Sequence, residues 1–160
     1  MAAPWPEPVE RVSSFLAAAA VDATIQEFPE GTPTAEAAAK AAGCRLEQIV
    51  KSLVFVCDGA YVLALVPGDR RADETKVAAA AGAAEARVAR APEVQAATGF
   101  APGAVAPFPH ANAAVLMERT LLQHGVVWIG AGSPAHMAAL APADLQRLAR
   151  AQAADLVAQR

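Results

Sequence analysis

"IVKSLVFVCDGAYVLALVPGD", residues 49–69, holds two runs of Val, Leu, Phe and Tyr separated by Asp58-Gly59. Both central residues of a type I′ turn need positive φ, so this dipeptide predicts a β-hairpin with strands over 52–57 and 60–66. Each run is apolar at nearly every position, where a half-buried strand would alternate. Both faces are therefore covered, and the hairpin belongs in the middle of its sheet. A full charge stands at each mouth of the stretch, Lys51 at one end and Asp69 at the other. The returning strand delivers Pro67, Gly68 and Asp69 to the end where Lys51 sits. An ion pair closing the sheet end is one reading, worth about 0–1 kcal/mol if exposed. A lysine that binds a carboxylate or phosphate is the other.

Outward from the hairpin, the elements alternate. Val9, Val12, Phe15 and Leu16 recur at helical spacing and predict a helix over 8–20, and 21–28 reads as an edge strand. In "GTPTAEAAAKAAG", Thr32 is the expected N-cap, Pro33 the first helical residue and Gly43 the stop. "LEQIV" adds a helical turn. After the hairpin, "ADETKVAAAAG" reads as a helix, "EARVAR" as a short strand, and "APEVQAATG" as a helix entered through Pro92 and ended by Gly99. "FAPGAVAPFPHAN" has too many prolines and glycines for regular structure yet is apolar, so it is expected to fold over a pocket. Strands over 114–117 and 126–130 flank a helical turn, and "APADLQRLARAQAADLVAQR" is expected to close the chain as one amphipathic helix.

Composition narrows the function. The 160 residues suit one domain with a real core, and a single functional site. Alanine supplies much of the 55% hydrophobic content, and no stretch of about twenty residues is apolar enough to span a bilayer. The first residues, "MAAPWPEPVERV", lack the basic and apolar regions of a secretory signal, so the expected location is the cytoplasm. A net charge of −3 argues against coating DNA or long RNA, and leaves room for a protein that grips one end. Cys44 and Cys57 are far apart without CxxC spacing, which suggests a reduced, buried pair and neither disulfide nor zinc site.

Four segments in order, "QIVKSLVF", "VPGD", "TGFAPGAVAPF" and "GAGSP" ahead of "LAPADL", resemble the YbaK/ProX family of free-standing editing proteins, related to the editing domain of bacterial prolyl-tRNA synthetases. The resemblance runs from about Thr24 to Leu148. It implies an α/β fold with a mixed, largely antiparallel, curved and barrel-like sheet surrounded by helices. It also implies hydrolysis of the ester of a wrongly charged tRNA, most often a prolyl acceptor carrying a small amino acid such as Ala or Cys, without metal or other cofactor. The partners implied are the aminoacyl-tRNA 3′ end and prolyl-tRNA synthetase.

By the same resemblance Lys51 is the catalytic-site lysine, holding the terminal adenosine or its phosphate. Thr98, Gly99, Gly103, Pro107 and Phe108 match a glycine-rich turn whose backbone N–H groups could polarise the ester carbonyl. Gly130, Gly132 and Ser133 are expected on the opposite wall, with Gly68 and Asp69 beside the lysine. Phe28 matches an aromatic of the early strand but lacks a tyrosine hydroxyl. Ser52 stands where some members carry asparagine after the lysine, a mark of different substrate preference.

Other residues carry weaker signals. His136 is a candidate for the pocket, His124 before Gly125 reads as a turn residue, and His110 as solvent-facing. Ser133 has no GxSxG elbow, and "GAGSP" lacks the lysine of a phosphate loop. Arg70, Arg71, Lys76, Arg87 and Arg90 form a possible acceptor-stem patch or an ordinary solvated face. A non-catalytic module that holds an aminoacyl or nucleotide end, or docks a synthetase, is the alternative to a deacylase. A hydrolase of another small ester or amide is a third.

Overall fold

The computed structural model describes residues 5–110 and 112–160. In chain order it runs α1 (Glu7–Ala18), β1 (Thr24–Glu27), α2 (Ala35–Ala42), a 3-10 turn (Leu46–Gln48), β2 (Val50–Cys57), β3 (Ala60–Pro67), α3 (Glu74–Ala81), β4 (Ala86–Val88) and α4 (Ala91–Thr98). There follow β5 (Ala114–Glu118), a second 3-10 turn (Arg119–Gln123), β6 (Val127–Ser133), β7 (His136–Leu140), α5 (Pro142–Ala149) and β8 (Gln152–Ala154). The hairpin forms as the sequence predicts: Asp58 has φ 49° and Gly59 φ 85°, and Cys57 pairs Ala60 across the turn.

The strands fall into two sheets, β1-β7-β6 and β4-β2-β3-β5-β8. Pairing is antiparallel except for β3–β5 and β5–β8, so the sheet is mixed and largely antiparallel, as the resemblance implies. It is not one closed barrel: an isolated bridge between Ile49 and Trp128 joins the two sheets. β2 and β3 are central to the larger one. Leu63 and Leu65 point into a core shared with α1 and β6, and Val62, Ala64 and Val66 point into a second core with Val77 and Leu156. Burying a leucine in this way contributes about 1.5–3 kcal/mol, and coverage of both faces is why the hairpin shows no alternation.

Three local expectations are corrected. Thr34, not Thr32, caps α2, accepting from Ala37 N–H at 3.0 Å. Thr32 instead donates through its hydroxyl and amide to Pro134 O, tying the loop before α2 to the β6–β7 turn. The closing helix stops at Ala149, where Arg150 adopts φ 54°, and β8 then pairs with the otherwise free edge of β5. β7, read as no element in the sequence, pairs with both β1 and β6. Among the described residues no helix is long and apolar enough to cross a membrane.

Candidate active site

β4 pairs only with Phe55–Cys57, so the first half of β2 has an open edge. The bond from Gly68 N–H to Ile49 O (2.8 Å) sets the phase of the β2–β3 ladder: Ile49, Lys51 and Leu53 bond β3, while Val50, Ser52 and Val54 turn their groups outward. Val54 O is taken by Ala89 N–H at 2.9 Å. Ser52 lies short of that contact, and its main-chain N–H and C=O face the free edge. Its Oγ is buried without a hydrogen-bond partner among the described residues.

Against this edge lies a cleft of about 370 Å³. Its walls come from Thr32–Ala35 and Ala38, from Ile49–Leu53, from Gly103–Val105, and from Gly130, Ser133, His136 and Met137. Each wall has a local cause. The capped first turn of α2 supplies the first, and β6 and β7 supply the last. The proline- and glycine-rich loop is pinned at both ends: Thr98 Oγ1 bonds Val94 O and Phe100 N–H, Arg11 bonds Gly99 O at 2.9 Å, and Phe108 stacks on Phe15 at 4.9 Å. The middle of the loop is thereby held over the cleft. A larger hollow of about 680 Å³ between the hairpin turn and α3 contains none of the expected site residues.

Lys51, Ser52, Gly103, Gly130, Ser133 and His136 are therefore brought together, and the other candidates lie elsewhere. Thr98, Gly99, Pro107 and Phe108 anchor the loop from outside the cleft. Phe28 packs edge-on against Trp128, behind the wall formed by Ala38, Ile49 and Met137. Gly68 and Gly132 are close-approach glycines. A Cβ on Gly68 would meet Leu46 O at 2.7 Å, and one on Gly132, which has φ 102°, would meet Pro8 O at 2.7 Å. Asp69 turns to Arg160.

The ion pair of Lys51 with Asp69 does not form. Lys51 Nζ donates to Arg70 O at 2.5 Å. Burial pushes the Lys51 ammonium below the usual lysine range, Asp69 and Glu36 offset part of that effect, and Arg71 adds to it. At neutral pH it is a partly desolvated cation at the mouth of the cleft, suited to a substrate anion.

His136 is buried, with Nδ1 2.5 Å from Ser133 Oγ and Nε2 3.4 Å from Glu27 Oε2. Ser133 Oγ also accepts from Ala135 N–H at 3.0 Å, and His136 Nε2 is buried without a hydrogen-bond partner among the described residues. The Trp5 ring stands edge-on at 5.7 Å. His124 ends a 3-10 turn. His110 is half-buried, not solvent-facing, and burial lowers its pKa. Cys57 is buried, whereas Cys44 is only partly so. The basic patch is broken up: Lys76 pairs with Asp155, Arg87 with Glu93, and Arg70 donates to Ala158 O. Among the described residues no three His, Cys, Asp or Glu side chains converge as a metal site requires.

Ala104 and Val105 lie in the loop expected to fold over a pocket, whereas the sequence reading missed Thr32–Ala35, Ala38, Ile49, Val50, Leu53 and Met137 as cleft walls. These are small or apolar residues with no chemical signature. The aminoacyl-tRNA editing domain matches residues 29–148, which span every wall of the cleft. The chain belongs to that family. The editing-domain region is 36% identical over 102 residues to the proline–tRNA ligase of Xanthomonas oryzae pv. oryzae, covering 62% of this chain and 18% of the ligase. It is 33% identical over 108 residues to that of Nitratidesulfovibrio vulgaris, covering 67% of this chain and 19% of the ligase. The chain thus spans under a fifth of the length of these curated relatives. A solved structure described as a candidate trans-editing enzyme for prolyl tRNA synthetase superposes with a TM-score of 0.90 at 35% identity, covering 98% of this chain and 100% of that one.

Proposed function

We propose that this editing-domain protein is an aminoacyl-tRNA deacylase acting in trans in the cytoplasm, hydrolysing the ester of mischarged tRNA, with prolyl acceptors carrying Ala or Cys as its substrates. The observation that carries the reading is a cleft of about 370 Å³ with a lysine at its mouth that is held by a main-chain carbonyl, and an outward-facing strand amide, that of Ser52, on its wall. That volume lies at the small end of ligand sites, which fits an aminoacyl group with part of its adenosine while the rest of the tRNA stays outside.

An aminoacyl ester is already activated, so the site has to place a water and stabilise the developing oxyanion more than it needs a strong base. In this reading Lys51 clamps the phosphate-bearing nucleotide end. The Ser52 N–H and the amides of Gly103 and Val105 face the ester carbonyl, and the substrate's vicinal hydroxyl orients the water. The apolar walls, Ala38, Ala104, Val105 and Met137, admit small side chains and refuse larger ones, the logic of a second sieve. No covalent intermediate and no metal enter these steps. Prolyl-tRNA synthetase is the expected source of the mischarged substrate.

The test is deacylation of alanyl-, cysteinyl-, seryl- and threonyl-tRNA, on prolyl and cognate acceptors, by wild type and Lys51→Ala at substoichiometric protein. We expect release of one small amino acid from the prolyl acceptor by wild type, and at least a hundredfold loss in Lys51→Ala with cooperative thermal unfolding retained. Protection of every ester, with measurable binding, would assign the cleft a holding role instead.

A further inference from the structure

Asp69 and Lys51 stand at the same mouth, and the carboxylate is the charge best placed to cancel the ammonium. The geometry after β8 shows what prevents this. Residues 156–158 run antiparallel along residues 71–73: Asp73 N–H donates to Leu156 O and Ala158 N–H to Arg71 O, each at 2.8 Å, and Ala72 bridges Val157. Three residues further in that register, Arg160 falls directly opposite Asp69. Its guanidinium bonds Asp69 Oδ2. The Asp69 side chain is 17% exposed and Arg160 70% exposed, so the carboxylate is held inside and the cation reaches it from solvent. Arg70 Nη2 donates to Ala158 O, fixing the same short ladder from the other side. Arg70 also presents the carbonyl that takes Lys51 Nζ.

We propose that Arg160 is a positioning residue that occupies Asp69 and so keeps Lys51 available for the phosphate-bearing end of the substrate. Lys51 is then anchored by a neutral carbonyl, which orients the ammonium without cancelling its charge. Glu36 on α2 and Arg71 are the other charges that bear on Lys51; Glu36 lies outside this ladder, and Arg71 joins it only through its main-chain carbonyl. The functional half of the inference rests on the deacylase reading above, and the electrostatic half does not.

The test is a double-substitution cycle of Arg160→Ala and Asp69→Asn, with Arg160→Lys as the conservative variant. The chain has three lysines, Lys40, Lys51 and Lys76, so the Lys51 ammonium can be followed by NMR of labelled lysine through a pH titration without any substrate. Arg160→Ala is expected to raise the Lys51 midpoint and to raise KM for the edited tRNA about three- to fivefold with kcat unchanged, the range for releasing one partly exposed pair. In the Asp69→Asn background the same substitution is expected to change neither, and Arg160→Lys to retain wild-type behaviour. An equal shift in both backgrounds would show Arg160 acting on Lys51 through space and overturn the proposal, as would no shift in either. A coupled titration with no deacylation of any ester would support the role of Arg160 and overturn the deacylase reading alone.

Discussion

At Lys51 burial and the proposed clamp pull in opposite directions. Desolvation penalises the ammonium, and its neighbours Asp69 and Glu36 only partly restore it, so the folded pKa lies below the unfolded value of about 10.4. For a lowered lysine the linkage runs as a cost: holding the charge destabilises the fold at pH below the folded pKa, and the cost vanishes as pH rises past the unfolded one. A clamp that needs the ammonium is complete below the lowered pKa and fails as pH rises through it. Binding of a non-hydrolysable 3′-aminoacylamide adenosine should therefore weaken at lower pH in wild type than in Lys51→Arg, whose guanidinium stays charged throughout. Coincident pH profiles for the two proteins would remove the lysine from the clamp. The position of Lys51 was legible, because a charge before a wholly apolar run is conspicuous. The partner of Asp69 was not, since Arg160 is 91 residues away in sequence.

Among the elements, α2 bears most directly on the cleft. It has only eight residues, and the Thr34 hydroxyl on Ala37 N–H organises its first turn. Thr34→Ala should cost about 1 kcal/mol, read from the urea midpoint, and should loosen the wall formed by Ala35 and Ala38. Two threonines flank Pro33, and either could cap from sequence alone; the contact of Thr32 with Pro134 decides between them. β7 and β8 escaped the sequence reading for one reason. "HMAAL" and "QAA" are rich in alanine, which has poor strand propensity and shows no alternation. They are strands because β1 and β6 in one case, and β5 in the other, offer ladder groups that must be satisfied.

On the scale of the molecule, the closing segment is fastened by a buried carboxylate. Glu118, 1% exposed at the end of β5, accepts from Leu156 N–H at 2.8 Å and Thr120 N–H at 2.9 Å. Glu118→Ala leaves two amides without acceptors and should destabilise by about 2 kcal/mol, with hydrogen exchange rising first at Leu156. Unchanged exchange there would mean that Leu156 and Val157 hold the segment by packing alone. The same fastening registers residues 156–160 against residues 69–73, so Glu118 and the mouth of the cleft are linked through one short ladder.

The sequence by itself determined the hairpin, the central place of its strands and the presence of Lys51 beside Pro67, Gly68 and Asp69, because those follow from turn chemistry and local hydrophobic pattern. It also carried the family resemblance. Tertiary structure alone decided that the cleft opens on the free edge of β2, that the ends of the glycine-rich loop are anchors while its middle is a wall, and that Asp69 belongs to Arg160. These depend on which residues meet across sheets and across long separations in the chain. Local propensity, which acts over a few residues, carries no information about such meetings.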